Sequence, residues 1–141
     1  MGVGEVTVSA QTLFPILYAR DLPRLVAFYR DLLGLTVVYR YPATGEPVYV
    51  ALRWGQATLG ISAEVTVPGL EGRPLAPVQG GRGFELCLYV PAVDRLVERL
   101  RAQGVPVLVA PIEMPWGERL AYIRDPEGNV IMLTQPVAGG A

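Results

Sequence analysis

Apolar positions along the chain switch between two periods, and each switch marks an element. Residues 12–19 (TLFPILYA) read as a first strand. From Leu22 the spacing lengthens. Leu22, Leu25, Val26, Tyr29, Leu32 and Leu33 recur every three or four residues, which predicts a helix over 22–33 with one apolar stripe. Asp21 is placed to cap it, Pro23 falls in its first turn and Gly34 stops it. Three strands follow at 35–41, 48–54 and 57–63, separated by turns at Gly45 and at Gly55-Gln56. The order then repeats. Residues 84–90 (FELCLYV) form a strand. A helix over 93–103 carries Val93, Leu96, Val97 and Leu100 on one face and ends at Gly104. Strands at 107–112, 119–124 and 129–134 complete the set, the last one following the turn DPEGN.

The chain therefore reads as one α+β domain, 1–141, of two βαβββ modules at 12–63 and 84–135. The modules form a curled mixed sheet around a cleft, with helices on the outer faces. A repeat of this size buries its sheet only by packing on its neighbour. The Pro- and Gly-rich stretch 64–83 joins the two. It is long for a plain connector, so it is either a functional loop or a flexible linker.

Strand alternation assigns faces. Leu13, Pro15, Leu17 and Ala19 lie under the first helix, and Phe14, Ile16 and Tyr18 point away. Phe84, Leu86, Leu88 and Val90 lie under the second helix, and Glu85, Cys87 and Tyr89 point away. In the last strand Ile131 and Leu133 go under, while Val130, Met132 and Thr134 face the other side. If the sheets curl, a mostly apolar and aromatic cavity results, with one carboxylate in its wall. That is the usual make-up of a small-molecule pocket. A filled core is the alternative, but a lone carboxylate is costly in a dry interior.

Composition narrows the chemistry. A chain of 141 residues, 51% hydrophobic and 18% charged, suits one globular domain, and its apolar runs are too short to span a bilayer. The N-terminus lacks a basic segment followed by an apolar one, so a cytoplasmic location is expected. Net charge is −1 with scattered basic residues, which gives no footprint for nucleic acid. The single cysteine, Cys87, excludes an internal disulfide and reads as a small buried residue. The chain has no histidine, so neither a Ser-His-Asp nor a Cys-His site exists within it. Every basic residue is arginine.

Three segments, LYARDLPRLVAFYRDLLGL (17–35), ELCLYVPAVDRLVERLRAQGV (85–105) and PWGERLAYIRDPEGNVIML (115–133), together resemble the vicinal oxygen chelate superfamily. That superfamily includes glyoxalase I, extradiol dioxygenases, fosfomycin-resistance enzymes and bleomycin-resistance proteins. The shared pieces are scaffold motifs and do not fix a reaction. The resemblance implies four metal-ligand positions on the cavity face, usually His, Gln or Glu. They map to Phe14, Gly60, Glu85 and Met132. Only Glu85 is a ligand for a hard or borderline divalent ion. No metal and no cofactor are therefore expected, and the superfamily's metal chemistry is the least favoured reading.

What remains resembles the bleomycin-resistance branch, whose members bind a drug without a catalytic metal. This implies a homodimer with clefts built by both chains. The expected function is metal-independent binding of an apolar or aromatic small molecule. Nucleic acid and membrane are not expected partners. Candidate ligand-binding residues are Phe14, Tyr18, Tyr49, Arg53, Trp54, Glu85, Cys87, Tyr89, Trp116 and Met132. Glu85 has three readings: partner of a cationic ligand, general base of a metal-independent lyase or isomerase, or ion-pair partner of Arg124. A dimeric scaffold with a filled cavity is the remaining alternative.

Overall fold

The computed structural model describes residues 14–63 and 85–137. The expected loop 64–83, and Leu13 and Phe84 of the predicted strands, lie outside the described residues.

Each half of the chain makes its own four-stranded mixed sheet. In the first, β1 (Ile16–Ala19) pairs in parallel with β4 (Ala57–Ala63). β4 runs antiparallel to β3 (Tyr49–Trp54), and β3 antiparallel to β2 (Thr36–Tyr41), so the order is β1-β4-β3-β2. The second sheet repeats it as β5-β8-β7-β6, with β5 (Leu86–Tyr89), β6 (Val107–Glu113), β7 (Glu118–Arg124) and β8 (Val130–Pro136). A parallel β1–β4 or β5–β8 pair needs a long crossover, and in each half a helix and two strands supply it.

Helix α1 (Leu22–Ala27) starts where the sequence places it: the Asp21 side chain accepts the Arg24 N–H at 3.2 Å. Its continuation, Phe28–Leu32, is π-helical, with the Leu33 N–H reaching back to the Phe28 carbonyl. Within this wider turn the consecutive residues Phe28 and Tyr29 are both buried, their rings edge to face at 5.1 Å. Phe28 lies off the stripe of three- and four-residue spacings that a regular helix buries, and so the sequence pattern leaves it out. Helix α2 (Val93–Ala102) buries Val93, Val97 and Leu100.

The buried residues of both halves form one core cluster, and polar contacts also cross between the halves. Tyr29 Oη donates to Asp125 Oδ2 at 2.7 Å, the Asp21 N–H to Glu127 at 2.8 Å, and Arg99 to the carbonyls of Asp31 and Leu32. Leu17, Ala19, Leu88, Val90, Ile131 and Leu133 all face this core, as their alternation requires. No helix among the described residues is long and apolar enough to cross a membrane.

Candidate functional site

Register fixes which side chains share the face of each sheet turned away from the core. In the first sheet Ile16 stands beside Gly60 and Tyr18 beside Ser62, while Ala51 pairs with Gly60 and Tyr49 with Ser62. β2 adds Tyr39 opposite Ala51 and Tyr41 opposite Tyr49. The result is an aromatic surface. Tyr39 and Tyr49 meet with ring centroids 6.1 Å apart, and Tyr41 is exposed. Arg53, opposite Thr58, belongs to the same face as Tyr49. Phe14 precedes β1 and is exposed.

Gly60 sits beneath the Tyr49 side chain. A Cβ built on it would lie 2.7 Å from Tyr49 Oη and 3.0 Å from Ile16 Cγ1, so any side chain there would have to push the tyrosine aside. The position where the superfamily resemblance calls for a metal ligand is thus the floor under an aromatic ring.

In the second sheet Cys87 pairs with Met132, Met132 with Tyr122, Tyr89 with Thr134, and Thr134 with Leu120. The face centres on two carboxylates. Glu118 accepts the Tyr89 hydroxyl at 2.5 Å on one oxygen and the Trp116 indole N–H at 3.0 Å on the other. Glu85 lies close enough to the Tyr122 phenol for its charge to act on it. Burial first, then the Glu85 charge, push the Tyr122 phenol above its ordinary value. The Tyr89 phenol is raised chiefly by its bond to Glu118. Tyr89 and Trp116 are 58% and 60% exposed, so packing in this chain is not what holds their rings.

Cys87 departs from the sequence expectation. It is exposed, because alternation along β5 turns it outward with Glu85 and Tyr89 rather than into the core. Burial, then the charges of Glu118 and Glu85, raise its thiol pKa, the opposite of an activated thiolate. Trp54 stands apart from the other aromatic candidates. It alternates with Arg53, packs against the core, and lines a cavity of about 200 Å³ with Tyr29, Leu35 and Cys87. Arg124 does not pair with Glu85; it donates to the Gly128 carbonyl at 2.9 Å. Thr134 shares the outward face, yet it is fully buried and its hydroxyl has no partner among the described residues.

The sequence reading missed Glu118 and Tyr122. Their signal was the alternation of ERLAYIR, which puts Glu118, Leu120 and Tyr122 on the face opposite Ala121 and Ile123.

The four expected ligand positions do not make a donor set for a divalent ion. Phe14 and Gly60 offer no donor atom, Met132 offers a thioether, and Glu85 alone offers a carboxylate. No group of three or more metal-binding side chains occurs among the described residues.

Residues 9–133 match the sequence model of the Glyoxalase/Bleomycin resistance protein/Dioxygenase superfamily. An uncharacterized protein of Pseudomonas aeruginosa is 33% identical over 131 residues, covering 89% of each chain. Among solved structures, a glyoxalase/bleomycin resistance protein/dioxygenase from Nocardioides superposes with a TM-score of 0.70 at 28% identity, covering 96% of this chain and 89% of that one. A lactoylglutathione lyase from Agrobacterium tumefaciens gives a TM-score of 0.64 at 28% identity, covering 89% and 94%.

Proposed function

The chain belongs to the Glyoxalase/Bleomycin resistance protein/Dioxygenase superfamily, and we propose that within it this protein is a metal-independent binder of an apolar or aromatic small molecule. One observation carries the reading. The positions that would hold a metal are occupied by Phe14, by Gly60 under the Tyr49 ring, and by Met132, which turns a metal site into an apolar, aromatic surface. Exposed large side chains on both sheet faces, among them Tyr39, Tyr41, Tyr89 and Trp116, support a second copy of the chain completing each cleft. Protein loaded with zinc, nickel or manganese and then desalted is expected to hold far less than one ion per chain and to sediment as two 15.3-kDa chains. The same protein in chelator should gain thermal stability from aromatic ligands, as mass action requires. Stoichiometric metal would overturn the reading.

The closeness of Glu85 to the Tyr122 phenol favours a second reading, proton transfer at carbon. A carboxylate beside a neutral phenol supplies a base and an acid on one face. Solvent deuterium should then enter C3 of 2-oxo acids, the carbon next to the ketone, and Glu85→Gln should slow this about 10²-fold or more. A full rate in Glu85→Gln would sink this reading.

A further inference from the structure

We propose a second binding site, on the core side of the sheets, for a small carboxylic acid with an apolar body. Its aryl or alkyl group fills the cavity walled by Trp54, and its carboxylate rests on Arg95 in a groove that the same indole borders. The site goes beyond the reading above, which stands on Phe14, Gly60 and Met132 of the outward faces.

β1 and β5 are the end strands of their sheets. Between them the two halves leave a cavity of about 200 Å³, walled by Leu35, Leu59, Leu86 and Leu88 and by the Tyr29 and Trp54 rings. The Tyr29 hydroxyl is already bonded to Asp125, so this wall is apolar. A dry cavity of about 150 Å³ with such a lining holds a benzene. This one therefore takes a phenyl ring or a short alkyl chain.

Trp54 also borders a groove of about 510 Å³. The groove continues along the chain from the cavity, since Val90, Pro91 and Ala92 follow Leu88, and it ends on the flank of α2 that carries Arg95, Leu96 and Arg99. The indole thus stands between apolar space and two guanidiniums. Charge on α2 is sorted by flank. Asp94, Glu98 and Arg101 line a different groove, and no carboxylate lines this one among the described residues. Asp94 is paired with Arg119 and Asp31 with Arg30. Arg95 is exposed and has no hydrogen bond or ion pair among the described residues. Arg99 donates from Nη2 to the Asp31 and Leu32 carbonyls, which holds its guanidinium in place and leaves its other donors open. A planar carboxylate is what such a fork recognises. A neutral apolar molecule would leave Arg95 without a partner, and a bare anion would leave the cavity empty. One molecule with both parts answers both.

The test is fluorescence titration of the Trp116→Phe chain, whose remaining indole is Trp54. Three matched probes are used: 3-phenylpropanoate, neutral 3-phenylpropanol and cationic 3-phenylpropylammonium. The carboxylate should change the Trp54 emission and bind about fivefold tighter than the alcohol, with the cation weakest. Arg95→Gln should erase the preference for the carboxylate and leave the affinity for the alcohol in place. Ala57 pairs with Trp54, is exposed and lines the cavity, so Ala57→Phe sets a ring inside it. That variant should weaken the carboxylate and the alcohol alike, about tenfold or more. Arg95→Gln changes only an exposed helix position, and it decides the matter if Ala57→Phe folds poorly. A preference that survives Arg95→Gln, binding unchanged in Ala57→Phe, or no change in Trp54 emission with the carboxylate overturns the site. None of these results touches the outward-face reading, which stands or falls on metal content and on stabilisation by aromatic ligands in chelator.

Discussion

Asp125→Ala is expected to destabilise the protein by about 3–5 kcal/mol, more than any substitution on the sheet faces. Asp125 is 3% exposed and lies in the DPEGN turn before β8. Its Oδ1 accepts the N–H groups of Glu127 and Asn129, both at 2.9 Å. Its Oδ2 accepts the Tyr29 hydroxyl and the Asn129 side-chain amide, both at 2.7 Å. Truncation strands four donors. Tyr29 and Asn129 are themselves buried, so water cannot replace the lost acceptor without opening the core. Because Tyr29 belongs to the first half and Asp125 to the second, the damage is to their mutual packing. Urea unfolding should show a lower midpoint. Asp125→Asn, which keeps one acceptor oxygen, should lose less. A loss below about 1 kcal/mol for Asp125→Ala would mean that water substitutes freely and that the network does not join the halves.

Much of this network could be read before any coordinates, and the reasons differ by residue. The turn residues around Asp125 and the glycines after each helix announce themselves, because few residue types adopt those backbone shapes. β4 occupies the span that alternation and flanking turns predict, 57–63. The partnership of Tyr29 with Asp125 was not legible: it joins residues 96 apart, and no local period records a contact at that distance. The same holds for Gly60. As sequence it is only an absent ligand, and as structure it is the space Tyr49 needs. The site residues divide along the same line. Glu85, Cys87, Tyr89 and Met132 follow from alternation within single strands. The grip of Trp116 and Tyr89 on Glu118 depends on bringing β5 and β7 to opposite sides of β8, which only the sheet order supplies. Thr134 is the case where alternation gave the right face and the wrong environment, since facing outward did not leave it exposed.

Tyr29→Phe should cost about 1.5–3 kcal/mol at neutral pH, the worth of a hydrogen bond to a charged group, and that cost should vanish at high pH. The Tyr29 phenol is held well above its ordinary value of 10.0, by burial first, then by the Asp125 charge and by its bond to Asp125. An acid whose pKa is raised by folding keeps its proton in the native state where the unfolded chain releases it. The stability it contributes is therefore complete below the unfolded value, near pH 10, and is lost as pH rises from there toward the folded value. The loss runs at about 1.4 kcal/mol per pH unit. The wild-type curve should thus fall toward that of Tyr29→Phe and cross it at roughly pH 11–12. This chain suits the measurement, because it contains no lysine. Its arginine pairs, such as Arg119–Asp94, stay charged throughout the range, and the remaining tyrosines and Cys87 titrate in both proteins and largely cancel in the difference. Urea unfolding of both proteins from pH 8 to 12 gives the difference directly. A gap that stays constant to pH 12 would show that Tyr29 ionises alike in folded and unfolded chains, which a phenol buried against a carboxylate cannot do.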